Sequence, residues 1–222
     1  MTELNTNRAV HNSPTQGGSG QERAQVTRER LLKAAIRSFA SVGYEASSTR
    51  QIETDAGVKR GLISYHFGTK ESLWKAAATW MFQQAQDEME NTAQNAVDID
   101  PVARLRYSIR AIVRFFARYP EVNRLMTREG MDNDWRLEWL IEHASRPWYE
   151  QVRKLYEEAQ KLGMAPAMDY PHFYYILVGS AALIFTMAPE AEQLAGIDIN
   201  DESVVSAHAD ALADLLFPGE KQ

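Results

Sequence analysis

The 222-residue chain contains no cysteine, so disulfides, thiolate metal centres and cysteine nucleophiles are excluded. This usage fits a reducing compartment, and the cytoplasm is the expected location. Long apolar runs are missing too. The one membrane candidate, the uncharged stretch from Phe173 to Ala188, has 16 residues and includes Gly179, Ser180 and Thr186. That is short of the ~18 a membrane span requires, so it is expected to be a buried helix rather than a span. The N-terminus is polar and has no apolar secretory core. Strand-type alternation is absent after Arg23, and no internal repeat occurs, which leaves an all-α protein that is not a solenoid. H-E-x-x-H, G-x-S-x-G and phosphate-loop patterns are lacking, so no enzyme is expected. The acidic "EGMDNDWRLE" is explained by helix-start caps at Asp132 and Asp134, without a metal, and no cofactor is expected.

What is present is unevenly charged. Residues 1–80 carry 11 Lys/Arg against 7 Asp/Glu, or +4, and the rest carries 13 against 23, or −10; the two sum to the net −6. A basic N-terminal part on an acidic chain suggests a polyanion partner for that part, although plain solvated surfaces show charge of this size as well.

Residues 1–22, centred on "HNSPTQGGSGQ", have the composition of a disordered tail. A first helix over roughly 24–42 aligns Leu31, Leu32, Ala35, Ile36 and Phe39 on one face and stops at Gly43. A fourth starts at Lys70 behind Thr69 as cap and runs into the 90s. Asp100 and Pro101 open a fifth near 101–118, and Pro120 opens a sixth ending at Gly130. A long helix over roughly 134–162 should kink or split at Pro147 and end at Gly163. Asp169 and Pro171 start another through about Met187, and "NDESVVSAHADALADLLF" supplies the last.

Between the first and fourth lies "SSTRQIETDAGVKRGLISYHFGTKESLW". Ser48 stands as N-cap of a short helix whose Ile52 and Ala56 share one face, while Arg50 and Gln51 point outward. Gly57 permits the left-handed turn into a second short helix at a steep angle, anchored inward by Ile63 and Phe67. Lys59, Arg60, Gly61, Leu62, Ser64, Tyr65 and His66 are left to face outward. This is a helix-turn-helix pattern, although short helix pairs also occur as plain packing. The outward set supplies the donors that phosphates and base edges require.

From Thr27 to Ala78 these spacings ("SFASVGYEASST", "AGV", "YHF", "KESLW") resemble the DNA-binding domain of the tetracycline-repressor (TetR) family of bacterial regulators. The resemblance implies a homodimer whose recognition helices read successive major-groove faces of a near-palindromic double-stranded operator. It also implies a C-terminal bundle that dimerises and binds a small-molecule effector. Thr49 and Arg50 match positions that touch phosphate and base. Arg60, Ser64, Tyr65 and His66 match recognition-helix positions, and Lys70 matches a phosphate-binding lysine. Leu62 stands where the family often has threonine, and Ser64 where it often has an aromatic residue. Base reading is therefore expected from Arg50 and Arg60, and backbone positioning from Tyr65, His66 and Lys70. Lys59 occupies the family's usual cap position, so the recognition helix is expected to be weakly capped. The expected division is a tail at 1–22, a DNA-binding domain at 23–69, and a ligand-binding and dimerisation domain at 70–222.

No stretch after residue 85 resembles a particular family member. Large amphipathic residues dominate it, and the expected pocket set is Tyr107, Arg110, Phe115, Trp135, Trp139, His143 and Tyr174, which points to an aromatic or lipophilic effector. Aromatic residues at helical spacing are also what a plain core shows. The Phe173–Ala188 helix, with its small-residue face, and the last helix carry more apolar surface than one layer can bury, as a four-helix interface across a twofold axis would explain. The alternative is a DNA-bound adaptor whose C-terminal domain binds a protein.

Overall fold

The computed structural model describes residues 20–94 and 101–217, with side chains left aside for 88–94 and 101–102. Among these residues all regular structure is helical. α1 (Gly20–Ala46), α2 (Thr49–Asp55) and α3 (Leu62–Phe67) form the N-terminal unit. α4 (Lys70–Gln94) leads into α5 (Pro101–Arg118), α6 (Pro120–Glu129), α7 (Trp135–Leu140), α8 (Arg146–Lys161), α9 (Tyr170–Thr186), α10 (Ala188–Ala195) and α11 (Glu202–Leu216). One continuous apolar core runs from Leu31 and Phe39 of α1 through Trp74 of α4 to Phe173 and Leu212. α1 packs on α4 and α6, and α5 packs on α4, α9 and α11.

α1 begins at Gly20, inside the segment expected to be tail; residues 1–19 lie outside the described part, as does Asp100. Gly43 interrupts α1 with φ 84° and ψ 169°, a backbone region essentially reserved for glycine. A β-carbon there would also meet the Arg128 guanidinium at 3.2 Å.

The helix expected over 134–162 is divided. Between α7 and α8 the turn Ile141–Ser145 is π-helical. Pro147 has no N–H to offer the carbonyl of His143, and its ring crowds that carbonyl, so one widened turn absorbs the conflict. α10 is a further short helix, Ala188–Ala195, with Pro189 and Glu190 in its first turn and no side-chain cap. No single helix among the described residues is long and apolar enough to cross a membrane, and α9 with α10 is bent by 76°.

Candidate nucleic-acid interface

The two short helices fold by the periodicity of their apolar residues. Ile52, Ala56 and Ile63 are buried, and Val58 and Phe67 pack on the same core. Gly57 makes the turn at φ 61°. Ser48 holds the N-cap position of α2, but its side chain makes no cap bond. The neighbouring Ser47 instead donates its hydroxyl to the Gly43 carbonyl at 2.7 Å. At the start of α4, Thr69 Oγ1 accepts from the Ser72 N–H at 3.0 Å, as a cap should.

Arg50, Lys59, Arg60 and Ser64 are exposed, and Tyr65 is 79% exposed. Thr49 is half-buried. His66 is half-buried with its ring edge against Tyr65, centroids 4.9 Å apart. Among the described residues none of the three cations Arg50, Lys59 and Arg60 is engaged in an ion pair, so their charge is presented to the outside. Lys70 sits differently: its ammonium lies 4.5 Å from the centre of the Tyr44 ring and donates to the Glu45 carbonyl at 3.2 Å.

Two expectations are corrected. Leu62 is not outward but half-buried against the core, as an apolar side chain on α3's inner flank must be. Lys59 does not cap the recognition helix either. α3 starts at Leu62, with Gly61 left-handed at φ 91° in the cap position. The cap is supplied from α2: buried Glu53 accepts from the N–H groups of Gly61 at 3.0 Å and Ile63 at 2.8 Å. A carboxylate at these orphan donors satisfies them and complements the helix dipole. Sequence inspection missed Glu53 because it lies eight and ten residues from its partners, outside any local capping pattern. A second tie comes from α1, where Arg28 stacks 4.5 Å over Phe67.

The C-terminal candidates fall in separate places. Arg110 is bound to Asp210 of α11 at 2.6 Å, in a ladder that also pairs Arg106 with Asp214 and Arg114 with Glu202. Phe115 is buried against Phe116 and Tyr119, and Tyr107 is half-buried on the same helix. Trp135 and Trp139 meet Trp74 edge-on at 5.3 and 5.6 Å, and His143 stacks on Trp139 at 4.5 Å. Tyr174 belongs to a cluster with Tyr149 and Tyr170, and burial first, then Tyr175 and Tyr149, push its hydroxyl up to about 12. An apolar cavity of about 30 Å³ lies between Ile109, Ile112, Trp148, Val152, Phe173 and Leu177. A surface groove of about 660 Å³ runs along Tyr149, Arg153, Met168 and Tyr170. None of the seven candidates lines either space.

At the junction of the two parts is a cluster not foreseen as a unit. Arg136, 8% exposed, binds Glu129 at 2.5 Å, Asp134 at 2.6 Å and Glu45 at 3.6 Å. Burial alone would lower its pKa, but the Glu129 bond and charge, with Asp134 and Glu45, raise it.

Both parts of the chain are similar to known proteins. Residues 31–77 match the family described as bacterial regulatory proteins, tetR family, and residues 101–216 match a tetracyclin repressor-like C-terminal domain. The chain is 29% identical over 118 residues to the transcriptional repressor NicS of Pseudomonas putida, covering 51% of this chain and 53% of that one. It is 26% identical over 104 residues to the regulator YerO of Bacillus subtilis, covering 47% of this chain and 36% of YerO. The chain thus spans about half, or less, of these two curated relatives. It is 20% identical over 202 residues to RutR of Escherichia coli, covering 91% and 94% of the two chains. Among solved structures, the hemolysin II regulator HlyIIR aligns with a TM-score of 0.57 at 23% identity, covering 86% of this chain and 99% of that one. The fatty acid degradation regulator FadR of Bacillus halodurans aligns at 0.61 and 16%, covering 87% and 99%. At these identities the structural likeness is one of fold. With both halves of the architecture matched, the chain belongs to the TetR family of helix-turn-helix transcriptional regulators, which are not enzymes.

Proposed function

We propose that the protein is a ligand-responsive transcriptional repressor that binds a near-palindromic operator as a homodimer and is released by a small-molecule effector. The observation that carries this reading is the exposed set on the two short helices and the turn between them: Arg50 of α2, Lys59 and Arg60 of the turn, and Ser64 and the 79% exposed Tyr65 of α3. An aromatic residue so exposed among unpaired cations suits a polyanionic groove. Arg50 and Arg60 would read base edges, with Thr49, Lys59, Ser64, Tyr65, His66 and Lys70 meeting the backbone. Dimerisation is supported by a stripe on α9, where Ile176, Gly179 and Leu183 are exposed together with Met187 just past its end, and by exposed Leu215 on α11. An apolar stripe of this kind is uncommon on a monomer. Two α3 helices would then address major-groove faces ~34 Å apart.

Effector binding among α4–α9 would move α4 and with it that spacing. An effector that binds the released form about a hundredfold more tightly shifts the equilibrium by ~2.7 kcal/mol. The ligand side chains are proposed to be Tyr107, Arg110, Phe115, Trp135, Trp139, His143 and Tyr174, exposed to ligand when the bundle opens. One observation favours the alternative of a protein-binding adaptor: the internal cavity, at about 30 Å³, is far below the ~300 Å³ of a usual ligand site. Sedimentation of the protein with an operator duplex selected from random DNA tests the repressor reading. Two chains per duplex are expected, and one chain per duplex would contradict it. Small-molecule screening for release of that complex separates an effector from an adaptor.

A further inference from the structure

We propose that Arg136 is a positioning residue for Lys70: it holds the lysine ammonium where a DNA phosphate meets it, and so carries the placement of α6 and α7 into the DNA-binding unit. This rests on the reading of Lys70 as a phosphate contact.

The guanidinium is fixed on one side and grips on the other. Glu129, 1% exposed at the end of α6, and Asp134, the cap of α7, bind it at 2.5 and 2.6 Å. Its free edge and face turn to α1, with Nη1 3.6 Å from the Glu45 carboxylate and Cζ 5.0 Å from the Tyr44 ring centre. The same two residues hold Lys70, whose ammonium stacks on Tyr44 at 4.5 Å and donates to the Glu45 carbonyl at 3.2 Å. One ring thus serves two cations, and Glu45 lies between them with its side chain on one and its carbonyl on the other.

Residues 44 and 45 directly follow the Gly43 interruption, so their backbone is separated from the regular part of α1. α6 takes hold of that interruption as well: Arg128 donates to the Ser41 carbonyl at 3.0 Å and packs against Gly43. Any shift of the α6–α7 corner therefore displaces the ring and the carbonyl that aim Lys70. An ammonium has three donors, and the Glu45 carbonyl uses one, leaving the others for a phosphate at the start of α4.

The test is the salt dependence of binding to a selected operator duplex, because a phosphate contact is read in the slope and not only in the affinity. Lys70→Gln is expected to reduce the slope of log K against log salt by about 2 per dimer, one contact per subunit. Arg136→Gln, with Lys70 intact, is expected to reduce it by a similar amount, and the double variant by no more. Glu45 is exposed, so Glu45→Gln leaves the fold intact; it should lower the slope in the same direction and have no effect in the Lys70→Gln background. If Arg136→Gln fails to fold, Glu45→Gln decides the matter. A folded Arg136→Gln or Glu45→Gln with an unchanged slope overturns the proposal, as do losses that add in the double variant. An unchanged slope in Lys70→Gln removes the phosphate reading itself, an outcome distinguishable from the others.

Discussion

Glu53 shows how much a single buried carboxylate arranges. It sits in α2 yet closes the N-terminus of α3, so it ties the two short helices together at a set angle. Glu53→Ala should lower stability by about 1.5–3 kcal/mol in urea unfolding and weaken operator binding, with Glu53→Gln losing less because it keeps an acceptor. Arg136 is a second such residue. Replacing it with Met leaves Glu129 buried without its cation and should cost ~3–5 kcal/mol, and adding Glu129→Leu should recover much of that loss. Tyr174 gives a pH signature. Its hydroxyl titrates at about 12 in the folded chain and near 10 in the unfolded one, so its contribution is complete below pH ~10 and is lost as pH rises towards 12. Melting temperatures across that window should fall less steeply in Tyr174→Phe.

At the scale of the element, helix ends written in neighbouring residues were legible. Pro101, Pro120, Glu129 before Gly130, and Lys161 before Gly163 stand where the sequence places them. The turn at Gly57 and the inward pair Ile52 and Ala56 were legible for the same reason. What escaped depends on partners distant in the chain. Glu53 reaches over a turn, Arg110 is taken by Asp210 a hundred positions away, and the Trp74–Trp135–Trp139 cluster joins α4 to α7. The π-helical turn was half legible: Pro147 announces a break, but not that one widened turn suffices. The turn before α3 and the outer face of α3 carry a prediction, since Arg60 and Tyr65 are exposed and lie outside the core. Arg60→Ala and Tyr65→Ala should each weaken operator binding by ~1–3 kcal/mol while leaving stability within ~0.5 kcal/mol.

Across the whole molecule, the DNA-binding unit and the bundle share one core, and α1 is wedged between α4 and α6. A shift in the bundle therefore reaches the short helices through packed side chains rather than through a flexible linker. Reading a symmetric operator, as proposed, takes two such molecules back to back. Leu183→Glu, in the middle of the exposed α9 stripe and 55% exposed, should convert dimers to monomers in sedimentation and abolish tight operator binding while the monomer stays folded. Whether two α3 helices read one symmetric operator is decided by selecting bound DNA from a random pool with the purified protein and with Arg60→Ala/Tyr65→Ala. The expected product is an inverted repeat with half-sites about one helical turn apart, lost in the variant. An unenriched pool whose binding vanishes at moderate salt would contradict it.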